Sequence, residues 1–379
     1  MKQLLATSRA LTPQMFSLLR ELVEIESPST DAAGVERVAR HLARQLSAIG
    51  LAPELLPVAG AGPVLRARSA APAGARPVML LGHLDTVWPK GTLASRPVRT
   101  EGDLLYGPGS FDMKAGLVVA VFALRHLAAA GPLPAVTVFF TPREEIDCEP
   151  YRALMEREMR ASSAVLGFEP AWPGGAVKTG RKGSGSFLLR ARGRAAHAGA
   201  DPTQGANAIL DLSRRVLEAS ALSDAQGGVT VTVGVFRGGI ASNVVPDLAE
   251  AELDVRYTTA ENGRLAQEAI RSLRASEPGV TLEIEGGLHY PPLERGPQVL
   301  GLFAKARAVA AQMGLDLAET VTGGSSEASF ASALGIPTLD GLGADGDGAH
   351  AEDERVLIPS LAERAALAAG LIRALTGPA

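Results

Sequence analysis

The sequence predicts an α/β protein, a mostly parallel sheet flanked by helices, with a smaller α+β unit inserted into it. Two observations carry this. Short, uniformly apolar runs at Pro77-VMLLGH, Ala135-VTVFFT, Ala164-VLGFE and Pro337-TLDGL are bounded by turn residues, as strands buried on both faces are. The middle third instead alternates apolar and polar residues, the mark of strands with one wet face.

The elements follow in order. MKQLLATSRALTPQMFSLLREL lacks a long apolar core after a basic start, so it reads as a polar lead followed by a helix over 12–26 rather than a signal peptide. A second helix covers 31–49, with Gly50 as its C-cap, and an Ala/Gly/Pro-rich loop spans 59–76. The strand at 77–82 is followed by the helical stretch KAGLVVAVFALRHLAAAG (114–131) and then by strands at 136–141 and 164–168. The middle third runs SFLLRARGR (186–194), NAILDLSRRVLEAS (207–220), VTVTVGVF (229–236), LAEAELDVRY (248–257), ENGRLAQEAIRSLRAS (261–276) and VTLEIEGG (280–287). Strand, helix, strand, strand, helix, strand is a ferredoxin-like order. The larger domain is therefore assigned to 1–179 and 292–379 and the insertion to 180–291, with hinges in GRKGSGS (180–186) and HYPPLERGP (289–297).

Composition narrows the function. The chain has 379 residues, 46% of them hydrophobic, enough for a sizeable core. A net charge of -4 gives no basic stripe for nucleic acid. Cys148 is the one cysteine, which excludes a disulfide framework and thiolate ligation of a metal. No apolar stretch reads as long and uncharged enough to span a bilayer, so a soluble cytoplasmic protein is expected.

The chemistry collects where the apolar runs end. His83 and Asp85 follow the first, Glu144 and Glu145 the second, Glu169 the third, and the run 337–342 leads through GADGDGAH to His350. Asp112 lies in the glycine-rich GPGSFDMKAG before the helix at 114. Ligands of open α/β sheets bind beyond the carboxyl ends of the strands. Two imidazoles and this many carboxylates at one sheet edge would repel without a cation. The donor mix suits Zn²⁺, or Mn²⁺ or Co²⁺. Five ligands exceed what one open zinc needs and fit two ions about 3.5–4 Å apart sharing a bridging carboxylate. In His83-Leu84-Asp85 both outer side chains face one way, so Asp85 can accept the second ring N–H of His83.

HLDTV (83–87), GPGSFDMKAG (107–116), REEI (143–146), FEP (168–170), GRAAHAG (193–199) and the late His350 together resemble the co-catalytic zinc peptidases and amidohydrolases. That family includes glutamate carboxypeptidase, acetylornithine deacetylase, succinyl-diaminopimelate desuccinylase and aminoacylase. The likeness runs from about residue 15 to the C-terminus. FEP and the glycines at 323–324 resemble glutamate carboxypeptidase most. The resemblance implies that His83 and Glu169 bind one metal, Glu145 and His350 the other, and that Asp112 bridges them. It makes Asp85 the orienter of His83, Glu144 the general base, and the Asp112–Met113 peptide cis. The insertion becomes a lid that also joins two subunits into a homodimer. It would bring His197 to the oxyanion, with Asn243 and Arg256 holding the substrate's oxygen and carboxylate.

The implied reaction is hydrolysis of an amide or peptide bond in a small molecule or peptide with a free carboxylate. A deacylase of aminoacylase or acetylornithine deacetylase type is the alternative enzyme, and a non-catalytic metal-dependent binding protein the alternative class. A dinucleotide fold is disfavoured, because GPGSFDMKAG sets Asp and Lys where a phosphate loop needs small residues. Asp147-Cys148 and Ser326-Glu327 depart from the family pattern and bear on specificity. Arg181 and Lys182 read as solvated or as a further anion contact, His41 and His126 as helix residues without partners, and His289 as a hinge residue.

Overall fold

Strand Val78–His83 is buried at every position. It pairs in parallel with Val136–Thr141 on one side and Ala164–Gly167 on the other. Thr338–Leu339 extends the parallel set. These relations come from a computed structural model describing residues 1–70 and 74–377. The sheet runs Ala52–Leu56, Val64–Arg68, Val136–Thr141, Val78–His83, Ala164–Gly167, Thr338–Leu339. The first two strands form an antiparallel hairpin at one edge. It falls partly in the stretch read as the loop 59–76, of which residues 71–73 lie outside the described residues. Its outer strand is half exposed, so no uniformly apolar run marks it.

The segment read as a polar lead is a helix, Lys2–Ala10, followed by Thr12–Val23 and Ala32–Ser47. Asp31 caps the third by accepting from Gly34 N–H. Helix Ala115–Ala130 is apolar on all sides because it is buried on all sides, with Leu117, Val118, Val121 and Phe122 fully enclosed. Burying each such side chain contributes roughly 1.5–3 kcal/mol. The expectation of no bilayer-length apolar stretch needs correction here. Ser110–Ala130 is long and apolar enough by length and composition, but 78% of its apolar window is buried inside the protein, as in a core helix.

The chain divides into two units. One comprises Met1–Gly180, Arg295–Val321 and Ser326–Ala379, the other Arg181–Glu294 and Thr322–Ser325. The inserted unit starts one residue later and ends three later than read from sequence, and Thr322–Ser325 was not anticipated in it. Lys182 N–H donates to Thr322 O, and the buried Arg181 donates from Nη1 to Gly324 O and Ser325 O. Arg181 is thus buried rather than solvated.

The inserted sheet is wholly antiparallel, in the order Val229–Gly238, Leu248–Tyr257, Gly183–Arg192, Thr281–Tyr290. With helices Ala208–Ser220 and Ala260–Ser272, this is the ferredoxin-like order. Phe187, Leu189, Leu253 and Val255 form its core with Leu212 and Ile270. The other sheet face is charged, with Arg190 bridging Glu250 and Glu285.

Gly116, the second residue of the core helix, lies directly under the strand end that carries Glu169. A Cβ there would collide with the carbonyl oxygen of Phe168. Gly116→Ala should therefore cost about 1–3 kcal/mol of stability. Calorimetry would read this as a lower melting temperature, and an unchanged one would refute the close packing.

Candidate metal centre

The four parallel strands end at the same side, and this sets the site. His83 closes its strand, Glu144 and Glu145 follow Thr141, and Glu169 follows Gly167 by two residues. His350 arrives differently from expected. It is carried not by the strand at 338–339 but by a hairpin, Gly346–Asp347 with Arg355–Leu357, in a small antiparallel sheet. That sheet continues through Leu104–Tyr106, just upstream of the Asp112 loop. It was not legible from sequence because its strands are two or three residues long. Among the described residues His350 is the one non-glycine in the left-handed region, with φ 62°. Such conformations cluster at functional sites.

Asp112 stands between two imidazoles. Its Oδ1 is 3.2 Å from His83 Nε2 and its Oδ2 is 3.3 Å from His350 Nε2. Glu169 Oε1 lies 3.8 Å from His83 Nε2, and Glu145 Oε2 lies 3.2 Å from His350 Nε2. Two donor clusters result, His83–Asp112–Glu169 and Asp112–Glu145–His350, each with donor atoms within 4.8 Å of one another. The Asp112–Met113 peptide is cis. The set fits a pair of dications by its chemistry, all imidazole and carboxylate. It fits also because Glu145 Oε1 is buried without a hydrogen-bond partner.

The electrostatics state the same demand for positive charge. Burial would raise Asp112, but the two imidazoles outweigh it and hold its carboxyl far below the usual range. Burial disfavours a charged His83, yet Asp112, Asp85 and Glu169 raise it well above its ordinary value. Hydrogen bonding to Asp112 and Glu145 pushes His350 up to about 10. Without an ion, protons on both rings offset the carboxylates. Burial, followed by the charge of Glu169, raises Glu144 well above the carboxylate range. Burial also raises Glu145.

Asp85 shares its expected contact with its own backbone carbonyl. The nearest acceptor to His83 Nδ1 is the Asp85 backbone carbonyl at 3.0 Å, with carboxylate Oδ1 at 3.4 Å. The buried carboxylate also accepts from Ser29 Oγ at 2.5 Å, Glu144 N at 3.1 Å and Glu145 N at 3.2 Å. It anchors the backbone of the Glu144–Glu145 pair as much as it backs the imidazole. Ser29 was not foreseen. Neither was Glu354, whose carboxylate accepts from Gly109, Phe111 and Asp112 N–H and from Trp88 Nε1. The available signal was its position four residues after His350.

In the inserted unit, His197 and Asn243 are brought together by the bridge Ala196–His197 with Val244–Val245. Both are exposed. His197 Nδ1 accepts from Gly199 and Ala200 N–H, which leaves Nε2 to carry the ring proton as a donor. Arg256 is held by Asp254 in a fork, Nε to Oδ1 and Nη2 to Oδ2 at 2.8 Å each. The i, i+2 spacing on one strand face was the signal for that pair. His289 Nε2 lies 2.6 Å from Ser186 Oγ. His41, read as unpartnered, has Nε2 3.1 Å from Glu21 Oε2, while buried His126 Nε2 has no hydrogen-bond partner.

Comparison with known proteins decides the family. The profile described as peptidase family M20/M25/M40 matches residues 79–374. The chain belongs to this family. It is 31% identical to carboxypeptidase G2 of Pseudomonas sp. (strain RS-16), over 95% of this chain and 89% of that protein. It is 32% identical to a putative succinyl-diaminopimelate desuccinylase of Mycobacterium tuberculosis, over 75% of this chain and 78% of the relative. The fold matches the aminopeptidase PepT of Bacillus cereus with a TM-score of 0.83 at 22% identity, covering 96% and 98% of the two chains. It matches an M20-family metallo-carboxypeptidase of Sulfolobus solfataricus with a TM-score of 0.74 at 18% identity, covering 96% and 99%. The family expected from the motifs is borne out, and with it a metallohydrolase acting on peptide or amide bonds.

The departures from the M20 pattern have structural partners. Asp147 pairs with Arg143 at 2.9 Å, and Cys148 is buried. Ser326 donates to Asp340 at 2.8 Å. Glu327 accepts from Tyr151 OH at 2.6 Å and from Thr141 Oγ1 at 2.8 Å, bracing the strand end that leads to Glu144. Burial pushes Glu327 up to about 7. Between its ordinary value near 4.5 and about 7 the folded state holds the extra proton, so stability falls as pH rises through that window. In metal-free protein, Glu327→Gln should flatten this decline by up to ~1.4 kcal/mol per pH unit, the limit for one proton. Urea denaturation from about pH 5 to 7 tests this, and parallel wild-type and variant curves would contradict it.

Proposed function

We propose that this M20-family hydrolase cleaves an amide or peptide bond next to an amino acid with a free carboxylate, in the manner of a glutamate carboxypeptidase. The observation that carries the reading is the Asp112 carboxylate, with one oxygen to each imidazole cluster. In this reading His83 and Glu169 hold one ion, Glu145 and His350 the second, and Asp112 both, with Zn²⁺ favoured by the donor set and Co²⁺ or Mn²⁺ as alternatives. When bound, the ions supply Lewis acidity and a more acidic water.

The chain's own groups do the rest. Glu144 takes the proton from the attacking water and returns it to the leaving amine. Its backbone N–H, tied to buried Asp85, fixes where its carboxylate stands. His197 presents Nε2–H as an oxyanion donor, and neighbouring Asn243 adds a polar contact. Arg256 takes the substrate carboxylate with the guanidinium donors that Asp254 leaves open. Support for the carboxypeptidase reading comes from the likeness to carboxypeptidase G2 over most of both chains. The likeness to a desuccinylase favours the second reading, deacylation of an N-acyl amino acid. The presence of Glu144 weighs against a non-catalytic binding protein.

Glu144→Gln should lower kcat at least ~100-fold, the usual scale of a general base, with metal content unchanged. Steady-state kinetics with N-acyl and C-terminal glutamyl substrates, beside elemental analysis, checks this; undiminished turnover would remove Glu144 from the role.

A homodimer through the lid is part of the proposal. Strand Val229–Gly238 stands at the sheet edge, with Phe236 and Ile240 exposed. A cavity of about 610 Å³ lined by Ile209, Ile240, Val245 and Pro246 adjoins its end. Exposed edges of this kind pair with a second chain. Phe236→Lys should convert dimer to monomer in sedimentation velocity, and a monomeric wild type would sink the idea.

A further inference from the structure

We infer that Glu354 is a positioning residue that presets the metal centre by holding the Asp112 loop and tying it to the segments that bear His83 and His350. The inference rests on the dinuclear reading above. Its basis is a saturated buried carboxylate. Oε1 accepts from Phe111 N and Asp112 N, each at 2.9 Å. Oε2 accepts from Gly109 N at 2.7 Å and Trp88 Nε1 at 2.7 Å. With all four N–H groups aimed at it, Glu354 has no lone pair directed at an ion, so it supports ligands without being one.

Its placement gives these bonds their consequence. Trp88 lies five residues past His83, and Glu354 four residues past His350. The three backbone donors belong to the turn that carries Asp112. One 2%-exposed side chain thus fastens three ligand-bearing segments to one another. The main chain adds to the fastening, since Gly107 N–H donates to Glu354 O and Leu105 pairs with Val356. Asp112 must present one oxygen to each imidazole, and a small rotation of its peptide would lose one of the two. Residues that orient ligands in this way typically set metal affinity by a factor of 10–100.

Replacement by glutamine separates this role from general stability. An amide offers one acceptor oxygen and turns an NH₂ group toward two of the four N–H donors, so the volume is kept and half of the acceptance is lost. The test is Co²⁺ titration of the full-length, metal-stripped protein, read by visible absorbance in competition with a chelator. Wild type should bind two Co²⁺ per chain. Glu354→Gln should bind at least one of them ~10–100-fold more weakly, with an altered absorption envelope. Glu354→Asp keeps the charge but not the reach and should fall between them. It decides the matter where the glutamine variant does not fold. Wild-type Co²⁺ affinity in a folded Glu354→Gln, or in Glu354→Asp where that variant alone folds, overturns the inference and leaves the dinuclear reading standing. A wild type that binds fewer than two Co²⁺ overturns the dinuclear reading and this inference with it.

Discussion

A single carboxylate shared between two imidazoles is the constraint around which the larger unit is organised. Asp112 is useful only if each oxygen faces a different ring, here at 3.2 and 3.3 Å. One ring comes from a parallel strand of the main sheet and the other from a hairpin of the small antiparallel sheet. Neither sheet alone assembles the site. The core helix starting at Ala115 fixes the turn from behind, and Lys114, its buried cap residue, donates to Ile25 O and pulls the N-terminal segment against the same turn. Burial brings the Lys114 amine down to about 7, against the attraction of Glu354 and Glu26.

The adjacent glutamates show how like charges can be neighbours at such a centre. Both backbone N–H groups point at one buried acceptor, Asp85, with Ser29 as its third donor. The backbone is therefore fixed while the two side chains diverge. Burial raises both, but Glu145 lies against His350, whereas Glu144 also feels the charge of Glu169. Two carboxylates one residue apart thereby sit in different surroundings, as the separate duties proposed for them require.

Much of this was legible in the residues because long periodic signals and strand-end polar groups survive any detail of packing. The four parallel strands, the core helix and the ferredoxin-like order stood out by apolar runs, alternation and turn residues; four of the five ligand candidates stood out as polar residues beyond those runs, and Asp112 by its glycine-rich loop. What escaped was short or two-sided. The edge hairpin over 52–68 has a half-exposed outer strand, and the sheet carrying His350 has strands of two or three residues. The supporting roles of acceptors such as Glu354 and Glu327 escaped for another reason. Their meaning lies in which distant N–H and O–H groups converge on them, and no local pattern encodes that. Asp85 was found in the right place but without its carbonyl as the nearer contact, since i, i+2 spacing gives a shared face but not which atom lies nearest.

The small sheet has a consequence for how the protein is made. Gly109 and the carboxylate that receives its N–H are 245 residues apart, and the whole inserted unit lies between them. On the ribosome, the first half of the centre emerges early and waits while the lid is synthesised. The second imidazole and its brace are delivered only after the whole insertion has been made. Any chain ended prematurely within the insertion carries His83, Asp112, Glu145 and Glu169 but lacks His350, so it cannot complete the second cluster. Dependence on a segment made after the insertion ties assembly of both clusters to synthesis of the entire inserted unit.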